Sequence, residues 1–387
     1  MTFLLITLFL LVPYAGLILY YRKGWLEIPE FKMDSELKED ELPFISVIIA
    51  ARNEERNIGD CIRSLMRQSY PRDKFEIIVT DDHSTDDTVP ILHSFGKQNI
   101  TVLHLSDFTQ NQVLNSYKKK SIDTALRFAK GELIVTTDAD CIAGEKWIAT
   151  LASFYRQQSP VFVAMPVMFA SSLPGEVPGA RLLTLFQSLD FMSLQGITGA
   201  SVFKKIHAMC NGANLAYEKS VFFEVGGFEG IDQVASGDDM LLMHKIQSRY
   251  PHEVMFLKSK DVIITTRAAS VLKDFIHQRI RWASKADLYT DKKITAVLVL
   301  VYLLNAWLFI LALSSFFYPD ALYLLAASLV IKTGIELFFL FPVARFFGKQ
   351  RQLWWFLPAQ PFHILYTLIA GWLGKFGSYQ WKGRKVK

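Results

Sequence analysis

Between Phe44 and Cys141, short apolar runs alternate with stretches whose apolar residues recur at helical spacing. The runs FISVIIA (44–50), FEIIVTD (75–81), ITVLHL (100–105) and LIVTT (133–137) read as strands, the first buried and the last buried on both faces. Between them Ile58, Cys61, Ile62, Leu65 and Met66, then Val89, Ile91, Leu92 and Phe95, then Ile122, Ala125, Leu126 and Ala129 each fall on one helical face. Pro71 stops the first of these helices and Gly131 the third. Strands separated by helices of this length imply βαβ units with right-handed crossovers, hence a parallel sheet. The polar stretches ARNEE, TDDHSTDD and TDAD each follow a strand, so all three open on one sheet edge. That is where open α/β sheets meet ligands.

Beyond Trp147 the pattern is less regular. VFVAMP (161–166) reads as a strand. Gly175 to Ala200 mixes helix signals with glycines and reads as a mobile amphipathic segment on a membrane surface. HAMCNGANLAY (207–217) reads as a strand and turn leading into a helix. SGDDMLLMHKIQ (236–247) puts two acids at a helix N-terminus, where the macrodipole favours negative charge. VMFLKS reads as a strand, and FIHQRIRWASK (275–285) as a basic helix.

The chain is bracketed by apolar blocks. Residues 2–21 form an uncharged run about 20 residues long, the length of a bilayer-spanning helix. Arg22 and Lys23 follow at once, and the positive-inside bias then places the N-terminus outside and the following chain in the cytoplasm. Residues 22–43 read as a linker, 44–290 as the cytoplasmic domain, 295–376 as a second membrane region and 377–387 as a basic tail. That region holds three blocks, Thr295 to Tyr318, Ala321 to Phe347 and Leu353 to Phe376. The second contains Lys332 and Glu336, the third Pro358 and Pro361. If all three cross, YPD (318–320) is outside, GKQRQ (348–352) inside, and the tail outside, against the charge rule. Otherwise the proline-bearing block lies in the interface or re-enters, and both readings stay open.

Composition agrees with a membrane protein. Hydrophobic residues make up 51% of the 387 and 30 are Phe, too greasy for a purely soluble enzyme. The net charge of +5 is spread out, which gives nucleic-acid binding no patch to use. Cys61, Cys141 and Cys210 lie far apart with no C-x-x-C spacing, so neither a zinc site nor a disulfide framework is indicated.

The candidate chemistry is acidic. Asp138 and Asp140 follow the fourth strand as D-x-D, and a divalent cation held by one or two carboxylates and completed by phosphate oxygens suits such a pair. No G-x-G-x-x-G or G-x-x-x-x-G-K-[ST] follows the first strand, so phosphates have to be held another way.

Taken together these motifs resemble the membrane-bound family 2 glycosyltransferases, inverting enzymes of α/β GT-A fold that include hyaluronan, chitin, cellulose and poly-N-acetylglucosamine synthases. IIAARNEE resembles the loop whose acid, here Glu54, approaches the nucleoside. VTDDHSTDDT resembles DDGSTDDT, with Asp81 and Asp82 at nucleoside positions and His83 replacing the usual glycine. LNSYKKKSIDTAL resembles the G-K-x-x-A-L-N element, with Lys118 toward the donor and Tyr117 and Asp123 departing from the pattern. TTDADC resembles the metal-binding D-x-D, Asp138 also serving the donor. NGANLAY resembles an acceptor loop with Asn214. SGDD resembles the E-D pair, with Asp239 as catalytic base and Asp238 beside the acceptor. QRIRW resembles Q-x-x-R-W, implying Gln278 and Trp282 at the acceptor and Arg281 at the donor diphosphate.

The resemblance implies a nucleotide-sugar donor, UDP-linked, a lipid-linked or saccharide acceptor at the cytoplasmic face, Mg²⁺ or Mn²⁺, and an export partner or oligomer. A processive polysaccharide synthase is the alternative activity, and a catalytically silent membrane scaffold the alternative of another class. The plainer readings are helix-terminal acids for Asp238 and Asp239, a solvated face for Lys118, and interface anchors for Arg281 and Trp282.

Overall fold

The computed structural model describes residues 2–33, 41–96, 99–109, 114–170, 178–234, 236–285, 289, 291–377, 379–381 and 384–386. In chain order, α1 (Thr2–Glu27) is followed by β1 (Ile45–Ala51), α2 (Ile58–Met66), β2 (Phe75–Asp81), α3 (Thr88–Ser94) and β3 (Ile100–His104). Next come α4 (Ser106–Thr109), α5 (Tyr117–Phe128), β4 (Leu133–Asp138), α6 (Trp147–Gln158), β5 (Phe162–Ala164) and β6 (Val167–Phe169). Then α7 (Pro178–Phe203), β7 (Leu215–Glu218), α8 (Lys219–Glu224), α9 (Met240–Arg249), β8 (Val254–Phe256) and β9 (Ile264–Thr266). The chain closes with α10 (Leu272–Ala283), α11 (Lys292–Ser314), α12 (Pro319–Phe346), α13 (Phe356–Phe376) and the strands β10 (Tyr379–Trp381) and β11 (Arg384–Val386). By packing, Met1–Ile28, Ser171–His207 and Ala268–Lys387 form one unit, and Pro29–Ala170 with Ala208–Arg267 the other.

The second unit is built on a seven-stranded sheet of order β3-β2-β1-β4-β7-β5-β8. β1 lies between β2 and β4, parallel to both, and β3 is parallel to β2. The apolar runs of β1, β2 and β4 are buried on both faces, whereas β3, at the sheet edge, buries only Ile100. Gly131 is fixed by space, because a Cβ there would stand 2.5 Å from Ser46 N. The expectation of a wholly parallel sheet fails at β7, which runs antiparallel to β4 and β5. A buried apolar run looks the same read in either direction, so hydropathy carries no sign for this reversal.

VFVAMP (161–166) holds the expected strand, β5, and a second strand, β6, follows directly after it. The ladder breaks at Pro166, which has no N–H to donate, and the chain leaves β5 to pair β6 with β9 in a separate two-stranded sheet.

In the first unit α1, α11 and α12 are long and apolar enough to cross a membrane. α1 lies along α12, with Phe3 beside Tyr318 at 6.2 Å and Trp25 beside Phe346 at 5.4 Å between ring centroids. The helix continues to Glu27, through residues whose charge suggested a linker. α7 is a continuous helix of 26 residues, so the segment from Gly175 is not a loose amphipathic one where it is described; residues 175–177 lie outside the described residues. Its Gly196 is a contact point, since a Cβ there would meet Val343 at 2.6 Å and Phe339 at 2.9 Å. The two charges noted inside the second apolar block neutralise each other. Lys332 Nζ lies 2.7 Å from Glu336 Oε1 and donates to Gln360 Oε1 at 2.8 Å, and Gln360 Nε2 donates to Glu336 Oε2 at 2.7 Å. Tyr14 of α1 donates to the same Glu336.

Candidate active site

The register of three parallel strands sets the first two acids. Ala51 pairs with Asp81 and Ala50 with Asp138, so these acids end the strands on either side of β1, about 10 Å apart at the usual strand spacing. The loops after β1 and β2 are laced to each other. Asn53 N–H donates to Ser84 Oγ at 3.0 Å, Thr85 N–H to Asn53 Oδ1 at 2.9 Å, Glu54 N–H to Thr88 Oγ1 at 2.7 Å and Glu55 N–H to Asp86 Oδ2 at 3.1 Å. Asn53 and His83 both adopt left-handed backbone, φ 52° and 55°. That geometry accounts for the glycine usual at the His83 position.

Of the expected nucleoside residues, Glu54 accepts from Asn57 Nδ2 at 2.8 Å. Asp81 and Asp82 are nearly buried. Asp81 accepts the Ser84 N–H at 3.3 Å, and Asp82 contacts His83 Nδ1 at 3.0 Å. Arg52, which the sequence reading passed over, donates to the Asp82 carbonyl at 2.7 Å and its guanidinium stands 3.8 Å from the carboxylate. Its position inside ARNEE was the available signal.

Lys118 is not a solvated helix residue. Its Nζ lies 2.7 Å from Asp138 Oδ1 and 3.1 Å from Asp238 Oδ2. Burial works against its charge, but the Asp138 and Asp238 carboxylates outweigh burial and hold the ammonium above the ordinary lysine range. Lys119 is wholly buried and donates to the carbonyls of Ile231, Val234 and Ser236 at 2.5, 2.8 and 2.9 Å. One helical turn therefore holds both the end of β4 and the segment leading to Asp238.

Asp239 is the N-cap of α9, its Oδ1 accepting the Met240 N–H at 2.7 Å and its Oδ2 the Gly212 N–H at 3.1 Å. Gly212 stands at the centre of the cluster. A Cβ there would lie 3.1 Å from Asp238 Oδ2, 3.3 Å from Lys118 Nζ and 3.5 Å from Asp239 Cβ. Neither its position nor its role was read from sequence.

Asn214 corrects an expectation. It is fully buried, accepts from Trp147 Nε1 at 3.0 Å and donates to the carbonyls of Pro166 and Val262 at 2.7 and 2.8 Å. These bonds lock the chain entering β7, and a residue so placed cannot touch an acceptor.

Asp138 and Asp140 are both partly exposed at the end of β4. Thr266 donates to Asp140 Oδ2 at 3.1 Å, a contact from β9 that sequence did not indicate. Among the described residues no three His, Cys, Asp or Glu side chains form a ready metal cage. The pair nevertheless fits a hard divalent cation that takes its other ligands from phosphate and water. The neighbouring thiols of Cys61 and Cys141 are pushed up by burial and then by the Asp140 and Asp138 charges, so they stay protonated and are poor ligands.

The QRIRW residues lie on α10, in the unit with the long apolar helices. There Arg279, at a position the motif leaves unspecified, is tied through Asp190 to two other helices. It is buried, pairs with Asp190 of α7 at 2.6 Å, donates to Gln278 Oε1 at 3.1 Å and stacks over Trp282 at 4.1 Å. Tyr366 of α13 donates to the same Asp190 at 2.5 Å. Trp282 is partly buried between Arg279 and Phe191, and Arg281 is partly exposed.

Residues 46–225 match the model of glycosyl transferase family 2. The glycosyltransferase AglE of Haloferax volcanii is 31% identical over 109 residues, 28% of this chain and 34% of that protein. The β-monoglucosyldiacylglycerol synthase of Nostoc sp. is 30% identical over 118 residues, 30% of this chain and 25% of its own. The probable glycosyltransferase YdaM of Bacillus subtilis is 27% identical over 249 residues, 63% and 55%. The chain thus matches from 25% to 55% of the length of these relatives. Among solved structures, the mannosyltransferase PcManGT from Pyrobaculum calidifontis in complex with GDP-Man and Mn²⁺ superposes with a TM-score of 0.58 at 21% identity, covering 96% of this chain and 98% of its own. The fold is the GT-A-like α/β fold, here with a mixed sheet and three long apolar helices.

Proposed function

We propose that this chain, built around a family 2 glycosyltransferase domain of GT-A fold, transfers a sugar with inversion from a nucleoside-diphosphate donor to a lipid-linked or saccharide acceptor at the cytoplasmic face of a membrane. The observation that carries the reading is the Lys118 bridge from Asp138 to Asp238, which joins the donor end of the sheet to the loop bearing Asp239. A relative that makes a glucosylated diacylglycerol supports a lipid-borne acceptor, and a structural neighbour bound to GDP-Man and Mn²⁺ supports a nucleotide sugar with a divalent cation.

In this reading Glu54, Asp81 and Asp82 line a nucleoside shelf stiffened by the laced loops. Asp138 and Asp140 hold Mg²⁺ or Mn²⁺, which when bound supplies positive charge to the leaving diphosphate. Asp239 takes the proton of the acceptor hydroxyl as its oxygen bonds to C1 and the bond from C1 to the diphosphate oxygen breaks. The backbone N–H groups of Gly212 and Met240 orient the Asp239 carboxylate for that transfer. Lys118 keeps Asp138 and Asp238 from repelling each other across the site. Gln278, Arg281 and Trp282 are assigned to acceptor and diphosphate by resemblance, Trp282 with one ring face already taken by Arg279.

The test is release of nucleoside diphosphate from a panel of UDP- and GDP-sugars by membranes carrying the chain, with Mg²⁺ or Mn²⁺, against Asp239→Asn. Donor-dependent release lost in the variant supports transfer; equal release from both identifies a silent scaffold. Product mass then separates a single added sugar from a polymer.

A further inference from the structure

The helices of the first unit give a depth scale. α1 follows α12 from end to end, Phe3 meeting Tyr318 and Trp25 meeting Phe346. α11 and α12 form a hairpin through the turn at 315–318, and Trp307 of α11 lies beside the same Phe3 at 5.9 Å between ring centroids. Arg22, Lys23, Lys292, Lys293 and Arg345 therefore gather at the end of the bundle away from that turn. The turn end carries the exposed rings of Phe316, Phe317, Tyr318 and Tyr323.

α13 meets the same bundle at nearly one level. Its Gln360 joins Lys332 and Glu336, which lie about 20 and 26 Å along α12 from the turn at 1.5 Å per residue. Its Gly371 sits so close to Tyr302 that a Cβ would touch the ring at 2.7 Å, and Tyr302 lies about 18 Å along α11 from the same turn. Gln360 and Gly371 are separated by about 16 Å along α13, yet the levels they touch differ by only about 2–8 Å. A helix running with the bundle, as α1 does, would shift level by the whole distance. α13 runs steeply across it.

Its neighbour leads the same way. α10 lies beside α13, Phe275 against Phe362 and Tyr366 at 6.1 and 5.3 Å, and Ala283 against Gly374. α10 carries Lys273, Asp274, His277, Arg279 and Arg281 within three turns, which hydrocarbon does not accommodate. α13 itself carries Gln360, Pro361, His363 and Lys375 along its length. It nonetheless exposes an apolar stripe at helical spacing, Leu357, Leu365, Ile369, Trp372 and Phe376. Trp354, 86% exposed, and Trp355 precede it, with Arg345, Arg351 and Lys375 exposed around it. Aromatic rings at headgroup level and cations facing anionic lipid are the chemistry of an in-plane helix.

We propose that α13 does not cross the membrane but lies along its interface at the basic end of the α1, α11 and α12 bundle, with this stripe in the acyl boundary of an anionic leaflet. Both chain segments flanking α13, residues 348–352 and the basic tail, then stay on one side, which satisfies the charge rule that a third crossing violates. The bilayer is thus a ligand of a defined face, independent of which sugar is transferred.

The test uses the full chain in sealed vesicles of both orientations and a membrane-impermeant maleimide, with the unmodified chain and its three buried cysteines as background. A cysteine appended after Lys387 should label from the same side as Gln350→Cys and from the opposite side to Asp320→Cys. Labelling with Asp320→Cys overturns the proposal, as does labelling of all three from one side. Spin labels at Leu357→Cys and Trp372→Cys should report bilayer depths within about 5 Å of each other; a spanning helix would separate them by about 22 Å, and that separation also overturns it.

Discussion

The Asp239 carboxylate accepts the backbone N–H of Gly212 at 3.1 Å, across a sequence separation of 27 residues. That contact fixes the proposed base against the turn entering β7, and it makes the role of Asp239 separable from its role as a helix cap. Asp239→Asn keeps the size and an oxygen for the Met240 N–H but cannot take a proton. Nucleoside diphosphate release should fall by about 10²–10⁴-fold, with a lowered melting temperature because the new amide NH₂ faces the Gly212 N–H, which loses its acceptor. Asp239→Ala should lose activity equally and also about 1 kcal/mol of stability with its cap. Full turnover by the Asn variant removes Asp239 from the chemistry.

Gly212→Ala places a methyl 3.1 Å from Asp238 Oδ2 and 3.3 Å from Lys118 Nζ. The ion bridge must spread, so stability should drop by about 1–2 kcal/mol in denaturant melts and turnover should fall with it. An unchanged rate would show that the bridge has slack.

Lys118→Met leaves Asp138 and Asp238 facing each other without a cation. Breaking a buried pair costs about 3–5 kcal/mol, and since the Asp138 side chain is 38% exposed we expect about 1–3. Millimolar Mn²⁺ or Mg²⁺ should then raise the variant's melting temperature more than that of the parent. Equal shifts in calorimetry would mean that the cation does not bind Asp138.

His83 carries its side chain at φ 55°. His83→Val should lose about 2 kcal/mol, because a β-branched residue resists left-handed backbone. His83→Gly should change stability by less than about 1 kcal/mol, relief of strain offsetting the lost contact to Asp82. Thermal melts that rank the two the other way would contradict this backbone geometry.

Arg279→Met strands the buried Asp190 carboxylate and should destabilise by about 3–5 kcal/mol. The double variant Arg279→Met, Asp190→Leu should recover most of that. If it does not, the stacking on Trp282 and Phe275 outweighs the ion pair.

β1, β2 and β4 were legible because a strand buried on both faces has to be apolar throughout, and the acids that follow them were legible by position. Strand direction was not, since β7 reverses with no change in hydropathy. Asn214 was misread for a related reason. A motif records that an amide is required, while burial alone tells whether it faces a ligand or three backbone and side-chain partners. Arg279 was invisible because its partner Asp190 lies 89 positions away on α7, and sequence offers no measure of that proximity. In α7, Gln187, Ser188 and Asp190 are buried against other polar groups, and no spacing in the sequence marks those partners.

Two consecutive lysines on the first turn of α5 grip different things, Lys118 the acids and Lys119 three carbonyls of the approach to Ser236. The turn is therefore a rigid crank. Whatever tilts it swings both handles together, and a mutation that retunes one half of the reaction inevitably reaches the other.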